Sequence, residues 1–166
     1  MKSLHKSIAE YKKQLEKGDI QKAYRGLTEY MMNLKIHLKN SYPDFQVSGN
    51  FYQGYMDMTY FSFSPESLHN KKLKIAIVFI HEKIRFEVWL AGYNKPTQEK
   101  YLKMFKKNLS NKYRVPPATK GFDSIVEYDL ADNPDFNDLE SLTRLIESKT
   151  LKFTEDITDF LFKNDI

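Results

Sequence analysis

The sequence predicts an α+β fold in a single domain, residues 1–166: a mostly antiparallel sheet of about four strands covered by an N-terminal helical hairpin, a middle helix and C-terminal helices. Three observations carry this. Apolar residues recur at helical spacing from Leu4 to Leu38. The stretch from Phe51 to Ala91 is rich in aromatic and β-branched residues, partly in strict alternation. Helical spacing returns after Lys95 and again after Asn137.

The first helix runs from about Ser3 to Lys17, with Leu4, Ile8, Tyr11 and Leu15 on one stripe and Ser3 at the N-cap. Gly18 stops it, because glycine accepts the left-handed conformation that closes a helix. Asp19 caps the second helix, where Ile20, Tyr24, Leu27, Met31, Leu34 and Leu38 form one continuous stripe. The short connection reads as an antiparallel hairpin. Tyr42-Pro43 ends it, since the residue before proline avoids helix.

Three strands follow. The first lies near Phe51 to Phe63, within GNFYQGYMDMTYFSFSP, where six of seventeen residues are Phe or Tyr. The second, Leu73 to His81, is apolar on both faces over Ile75 to Ile80 and should be central. A short turn at Glu82-Lys83 leads into the third, Ile84 to Ala91. There Ile84, Phe86, Val88 and Leu90 point inward, with Arg85, Glu87 and Trp89 on the other face. Lys95-Pro96-Thr97 opens the middle helix, with Tyr101, Phe105 and Leu109 on its buried side. Val115-Pro116-Pro117 is a loop and Ser124 to Leu130 a fourth strand. Asn133-Pro134 breaks the chain, and Asn137 caps a helix through Leu139, Leu142 and Ile146. Either Thr150 restarts a last helix, with Phe153, Ile157 and Phe160 inward, or the two form one bent helix.

Composition narrows the chemistry. A globular chain of 166 residues buries roughly 70% of its unfolded surface, so no metal or crosslink is needed for a core. There is no cysteine, which excludes disulfides, thiolate nucleophiles and cysteine-ligated zinc and suits a reducing compartment. MKSLHKSIAEYKK has no apolar core of the signal-peptide kind, and the longest purely apolar run, Ile75 to Ile80, is far too short to span a membrane. The expected location is cytoplasmic, with no membrane partner. Residues 71–114 carry twelve Lys/Arg against three Asp/Glu, whereas residues 115–166 carry five against twelve. An acidic tail folded over a basic middle is the favoured explanation; attraction of an anionic partner is the other.

The candidate site rests on strand alternation. With Met56, Met58 and Tyr60 toward the core, Gln53, Tyr55, Asp57 and Thr59 share the opposite face, where the third strand adds Arg85, Glu87 and Trp89. Tyr55, Asp57, Arg85, Glu87 and Trp89 then form an aromatic and charged surface suited to a small molecule or a protein. Trp89 is the expected anchor. The structural alternative is a helix covering that face, with Arg85 paired to Asp57 or Glu87.

No catalytic residue, metal ligand or cofactor is nominated. His5, His37, His69 and His81 are scattered, and the glycines build no phosphate-cradling loop. NPDFND at Asn133 to Asp138 lacks the glycine and terminal glutamate of a calcium loop. Element order also matches a restriction-endonuclease-like core, with Asp57 and Glu87 as the two acids. However, Trp89 occupies the expected lysine position, and the guanidinium of Arg85 is a poor base. Nucleic-acid binding through Lys100, Lys103, Lys106 and Lys107 follows from that alternative, and a homodimer is a third possibility.

The stretches YQGYMDMTYFSF, LKIAIVFIH, RFEVWLAGYNK, DNPDF and IESKTLKF resemble a family of small bacterial proteins defined only as a domain of unknown function. The resemblance implies a single-domain cytoplasmic bacterial protein and supplies no activity, cofactor or partner. The sequence thus predicts a non-enzymatic binding or interaction module that uses an aromatic and charged sheet face.

Overall fold

The computed structural model describes residues 3–108, 112–117 and 124–164. Five helices, α1 (Leu4–Lys17), α2 (Asp19–Ser41), α3 (Glu66–His69), α4 (Lys95–Asn108) and α5 (Leu139–Lys163), accompany five strands. These are β1 (Gln46–Gln53), β2 (Met58–Ser64), β3 (Leu73–Ile80), β4 (Arg85–Gly92) and β5 (Ser124–Asp132). They form one sheet in the order β1-β2-β3-β4-β5, with every neighbouring pair antiparallel. The α+β architecture is as the sequence predicts, with five strands rather than about four. The apolar run in β3 is central because a neighbour pairs with it on each side.

The extra strand comes from the aromatic stretch. The expected strand from Phe51 to Phe63 is a hairpin, β1 and β2, that turns over Gly54 to Asp57. The Gly54 amide donates to the Met58 carbonyl at 2.9 Å, and the Met58 amide donates to Asp57 Oδ1 at 2.7 Å. Met56 holds a φ of 56°, unusual for a side-chain-bearing residue. A Cβ on Gly54 would lie 1.9 Å from Asp57 Oδ1 and 2.8 Å from the Met58 carbonyl oxygen, so only glycine fits.

This turn reverses the expected facing. Pairing aligns Met58 with Ile80, and Ile80 with Arg85; likewise Tyr60 with Val78, and Val78 with Glu87. Met58 and Tyr60 therefore share the Trp89 side, while Thr59, Phe61 and Phe63 face the core. Ile84 also departs from its expected inward position. It sits in the β3–β4 turn with a φ of 47° and is 41% exposed.

The main core lies on the face of Phe61, Ile77, Phe86 and Val88. Met31, Leu34 and Leu38 from α2, Leu68 from α3, Tyr101 and Phe105 from α4, and Ile146, Phe153 and Ile157 from α5 cover it. Each such side chain stabilises by roughly 1.5–3 kcal/mol relative to exposure. Leu109, expected on the same stripe of α4, lies outside the described residues. The C-terminal helix is continuous, and Asp138 rather than Asn137 caps it by accepting from the Ser141 amide. Asp19 lies in the first turn of α2, and Gly18 occupies the cap position. The segment 112–117 is tied to α5 by Lys112 and Tyr113, both donating to Asp156. Burial and that hydrogen bond push the Tyr113 phenol up to about 12.

Helix α1 begins as expected, with Ser3 Oγ accepting from the Lys6 amide, and ends at Gly18 with a φ of 78°. Its apolar stripe is bare: Leu4, Ile8 and Tyr11 are 76%, 56% and 61% exposed, and α1 buries no residue.

Candidate functional site

The two faces of the sheet are covered differently. Among the described residues, every buried apolar side chain that a helix contributes belongs to the main core. Among the described residues, the second apolar cluster, Ala76, Val78 and Trp89 with Met58, Tyr60 and Ile80 against it, consists of strand residues. A groove of about 620 Å³ runs over this cluster. Its floor is Ala76, Val78, Trp89 and Ala91, with Met58 and Tyr60 to one side. Tyr60 stacks on Tyr52 across the β1–β2 pair, with ring centroids 4.8 Å apart. The β4–α4 corner closes one end, where Lys74, Asn94, Lys95, Gln98 and Glu99 supply the polar rim. Tyr93 stands there with its hydroxyl 3.0 Å from Ser64 Oγ and the Lys74 ammonium 5.5 Å from its ring centroid.

Beside the groove lies an ion cluster. Glu87 is 1% exposed and its carboxylate is fully engaged. Oε1 accepts from Arg85 Nε at 2.9 Å and pairs with Arg85 Nη2 at 2.7 Å, while Oε2 accepts from the Trp89 indole at 2.7 Å. Arg114 adds a guanidinium 3.5 Å from Glu87 and pairs with Asp129 at 2.8 Å. Burial opposes the Arg114 charge, but the hydrogen bond to Asp129 and the carboxylates of Glu87 and Glu127 outweigh it and raise its pKa. A buried carboxylate with this many donors acts as a clamp on the indole and two arginines.

The five sequence-nominated residues divide. Arg85, Glu87 and Trp89 share one face and touch one another. Tyr55 and Asp57 belong to the β1–β2 turn instead: Tyr55 is 96% exposed, and Asp57 faces the amide of Met58. The Asp57 backbone carbonyl accepts from the His81 amide. The two carboxylates of the nuclease-like alternative thus have separate partners, and among the described residues no cluster of three or more His, Asp or Glu could hold a metal. Arg114 was not nominated from the sequence. It reaches the cluster through a β-bridge to Glu127, a pairing that no local periodicity announces.

One further arrangement bears on chemistry. Thr59 Oγ1 lies 2.9 Å from His81 Nε2, the distance expected of a hydroxyl and its base. Thr59 is only 2% exposed, on the core side of the sheet. His81 stacks on Tyr24 and meets Phe79 edge-on, joining α2 to the sheet. Burial lowers its pKa, against a smaller opposing effect of Asp57.

Residues 4–161 match the family described as domain of unknown function DUF7000. The chain belongs to that family. No curated protein and no solved structure matches it. Among the described residues, the DUF7000 match covers every helix and strand except the last two residues of α5, so the groove and the ion cluster lie inside it. Among the described residues of this DUF7000 chain, no helix is long and apolar enough to cross a membrane.

Proposed function

We propose that this protein is a binding module whose ligand lies in the groove over Ala76, Val78 and Trp89. The observation that carries the proposal is the contrast between the two sheet faces. Among the described residues the helices cover one, while the other carries an apolar floor, buried beneath the half-exposed Met58 and Tyr60, with lysines, side-chain amides and Glu99 at a single end. Apolar walls with a few placed polar groups are what small-ligand sites require. The ligand class that fits is a small molecule or short peptide with a flat apolar body and an anionic end. The body lies against the half-exposed Met58 and Tyr60, with Trp89 beneath them, and the anion meets Lys74 and Lys95. Glu87, Arg85 and Arg114 fix the indole and leave it little freedom to lose on binding.

Trp89 is the only tryptophan, so its fluorescence reports the groove directly. Ligands of this class should shift its emission, and Lys74→Glu or Lys95→Glu should weaken them about tenfold, the loss expected of one charged contact. A panel of anionic amphiphiles and peptides that leaves both the emission and the amide NMR spectrum unchanged at about 1 mM, where affinity is worth only about 4 kcal/mol, defeats the proposal.

A second reading uses Lys100, Lys103, Lys106 and Lys107, all exposed on α4 beside the groove. It predicts binding of single-stranded nucleic acid that weakens steeply with salt. Absence of any gel shift at low salt removes it.

A further inference from the structure

The polar end of the groove over Trp89 is made almost entirely of donors. Asn94 and Gln98 both give their side-chain oxygens to the backbone. Oδ1 of Asn94 accepts from the Thr97 amide at 2.9 Å, and Oε1 of Gln98 accepts from the Gly92 amide at 2.8 Å. A backbone N–H meets the oxygen of a side-chain amide, so in each case the NH₂ is left over as a donor. Among the described residues neither NH₂ has a partner. The corner that holds Gln98 is tight: a Cβ on Gly92 would lie 2.8 Å from the Gln98 amide nitrogen and 3.1 Å from its Cα. Lys74 and Lys95 add two ammonium groups to the same end.

Glu99 is the exception. It is the one acid among the residues that line this groove. Lys95 lies four residues before it and Lys103 four residues after it, the spacing at which helix ions pair. Among the described residues Glu99 forms an ion pair with neither. An unpaired carboxylate beside unpaired donors is out of place in a site for a simple anion, because it repels what the lysines attract.

We infer that the ligand of this groove is a free amino acid with a large apolar side chain, an inference that rests on the groove being the ligand site. Its carboxylate meets Lys74, Lys95 and the NH₂ groups of Asn94 and Gln98. Its α-ammonium meets Glu99, and its side chain lies against the half-exposed Met58 and Tyr60. The ammonium turns the repulsion from Glu99 into attraction. Lys95 and Glu99 stand one helical turn apart, so their side chains can reach two charges carried by a single carbon. A peptide carries its ammonium and carboxylate at opposite ends and cannot satisfy both together. A carboxylate has two oxygens with about four lone-pair sites, enough to use the donors of this rim. A groove of about 620 Å³ is within the size of small-ligand sites.

The experiment uses the full chain and matched probes. L-phenylalanine and L-leucine are compared with 3-phenylpropionate and 4-methylpentanoate, which lack the ammonium, and with 2-phenylethylamine, which lacks the carboxylate. Binding is read from Trp89 fluorescence and from the amide NMR signals of Gly92 and of Lys95 to Glu99. At least one amino acid should bind about tenfold or more tightly than its analogue without the ammonium, the gain expected of one charged contact. Glu99→Gln should abolish that preference and leave the binding of 3-phenylpropionate unweakened, whereas Lys95→Gln should weaken both kinds of acid. Lys95 and Glu99 are exposed, so circular dichroism should report an unchanged fold. Equal binding with and without the ammonium overturns the inference, as does a preference that survives in Glu99→Gln; in both cases the groove still takes an anion and its reading as the ligand site stands. An absence of shifts with both amino acids at about 10 mM overturns it too, and the two acids without the ammonium then decide separately whether the groove binds an anion.

Discussion

The carboxylate of Glu87 can be removed without changing its shape, which makes the ion cluster open to measurement. In Glu87→Gln the amide retains one acceptor oxygen but places an NH₂ where Oε1 or Oε2 now accepts. Either the Trp89 indole or the Arg85 guanidinium then faces a donor. A lost hydrogen bond to a charged group costs about 1.5–3 kcal/mol. The Arg85 side chain is 17% exposed and, among the described residues, keeps Asp129 alone at 3.5 Å, so part of its charge is left uncompensated. Arg114 is less affected, because Asp129 holds it at 2.8 Å. Taken together the cost is about 3 kcal/mol, in the range for breaking one side of a buried pair. With an unfolding slope of about 2 kcal/mol per molar urea, the midpoint should fall by about 1.5 M. The melting temperature should fall by about 6–12 °C. A double-mutant cycle with Arg85→Met and Glu87→Met tests the cause: the double variant should cost at least about 1 kcal/mol less than the sum of the singles. Glu87→Gln within about 0.5 kcal/mol of the parent, or an additive cycle, would show that the cluster does not act as a clamp.

Three more outcomes follow from single positions. Gly54→Ala should destabilise by about 1–3 kcal/mol in urea unfolding, because its Cβ meets the Met58 carbonyl as well as Asp57; Gly49→Ala, with nothing within 4 Å, should not. Thr150 is fully buried in α5, and among the described residues its Oγ1 has no partner. Thr150→Val should therefore raise stability by about 1 kcal/mol, and a lower melting temperature would contradict this. Because burial lowers the His81 pKa, the unfolded chain binds this proton more readily. Its contribution is complete above the unfolded value of about 6.5 and is lost as pH falls below it. The parent should lose more stability than His81→Gln between about pH 7.5 and 5.5, and parallel profiles would exclude the effect.

How much was legible depends on what each residue's neighbours are. β3 could be read from its unbroken apolar run and β4 from its uninterrupted alternation, and Arg85, Glu87 and Trp89 fall on one face for that second reason. The β1–β2 turn could not, because Tyr55 and Met56 fill positions where polar residues usually announce a reversal. Missing that turn placed Met58 and Tyr60 on the wrong side and drew Asp57 into the site. Thr150 resembles a helix start, since threonine commonly caps, yet it lies mid-helix with its carbonyl accepting from Thr154. Period-two patterning also identifies two faces of a sheet without telling which one the helices cover. The groove over Val78 depends on that tertiary choice, and Arg114 joins Glu87 only through the bridge to Glu127.

The up-and-down order of the sheet sets a schedule for synthesis. Each strand pairs with the one made just before it, so all five can zip together as they leave the ribosome. The cover over Val88 and Phe86 is finished only by α5, the last 25-residue helix, which meets α2 where Tyr30 bonds Thr143 and His37 bonds Glu147. Until that helix emerges, a nearly complete sheet carries a sticky flank. A nascent chain stalled before Asp138 would be a client for chaperones, and a premature stop there would release an aggregating product rather than a smaller working one.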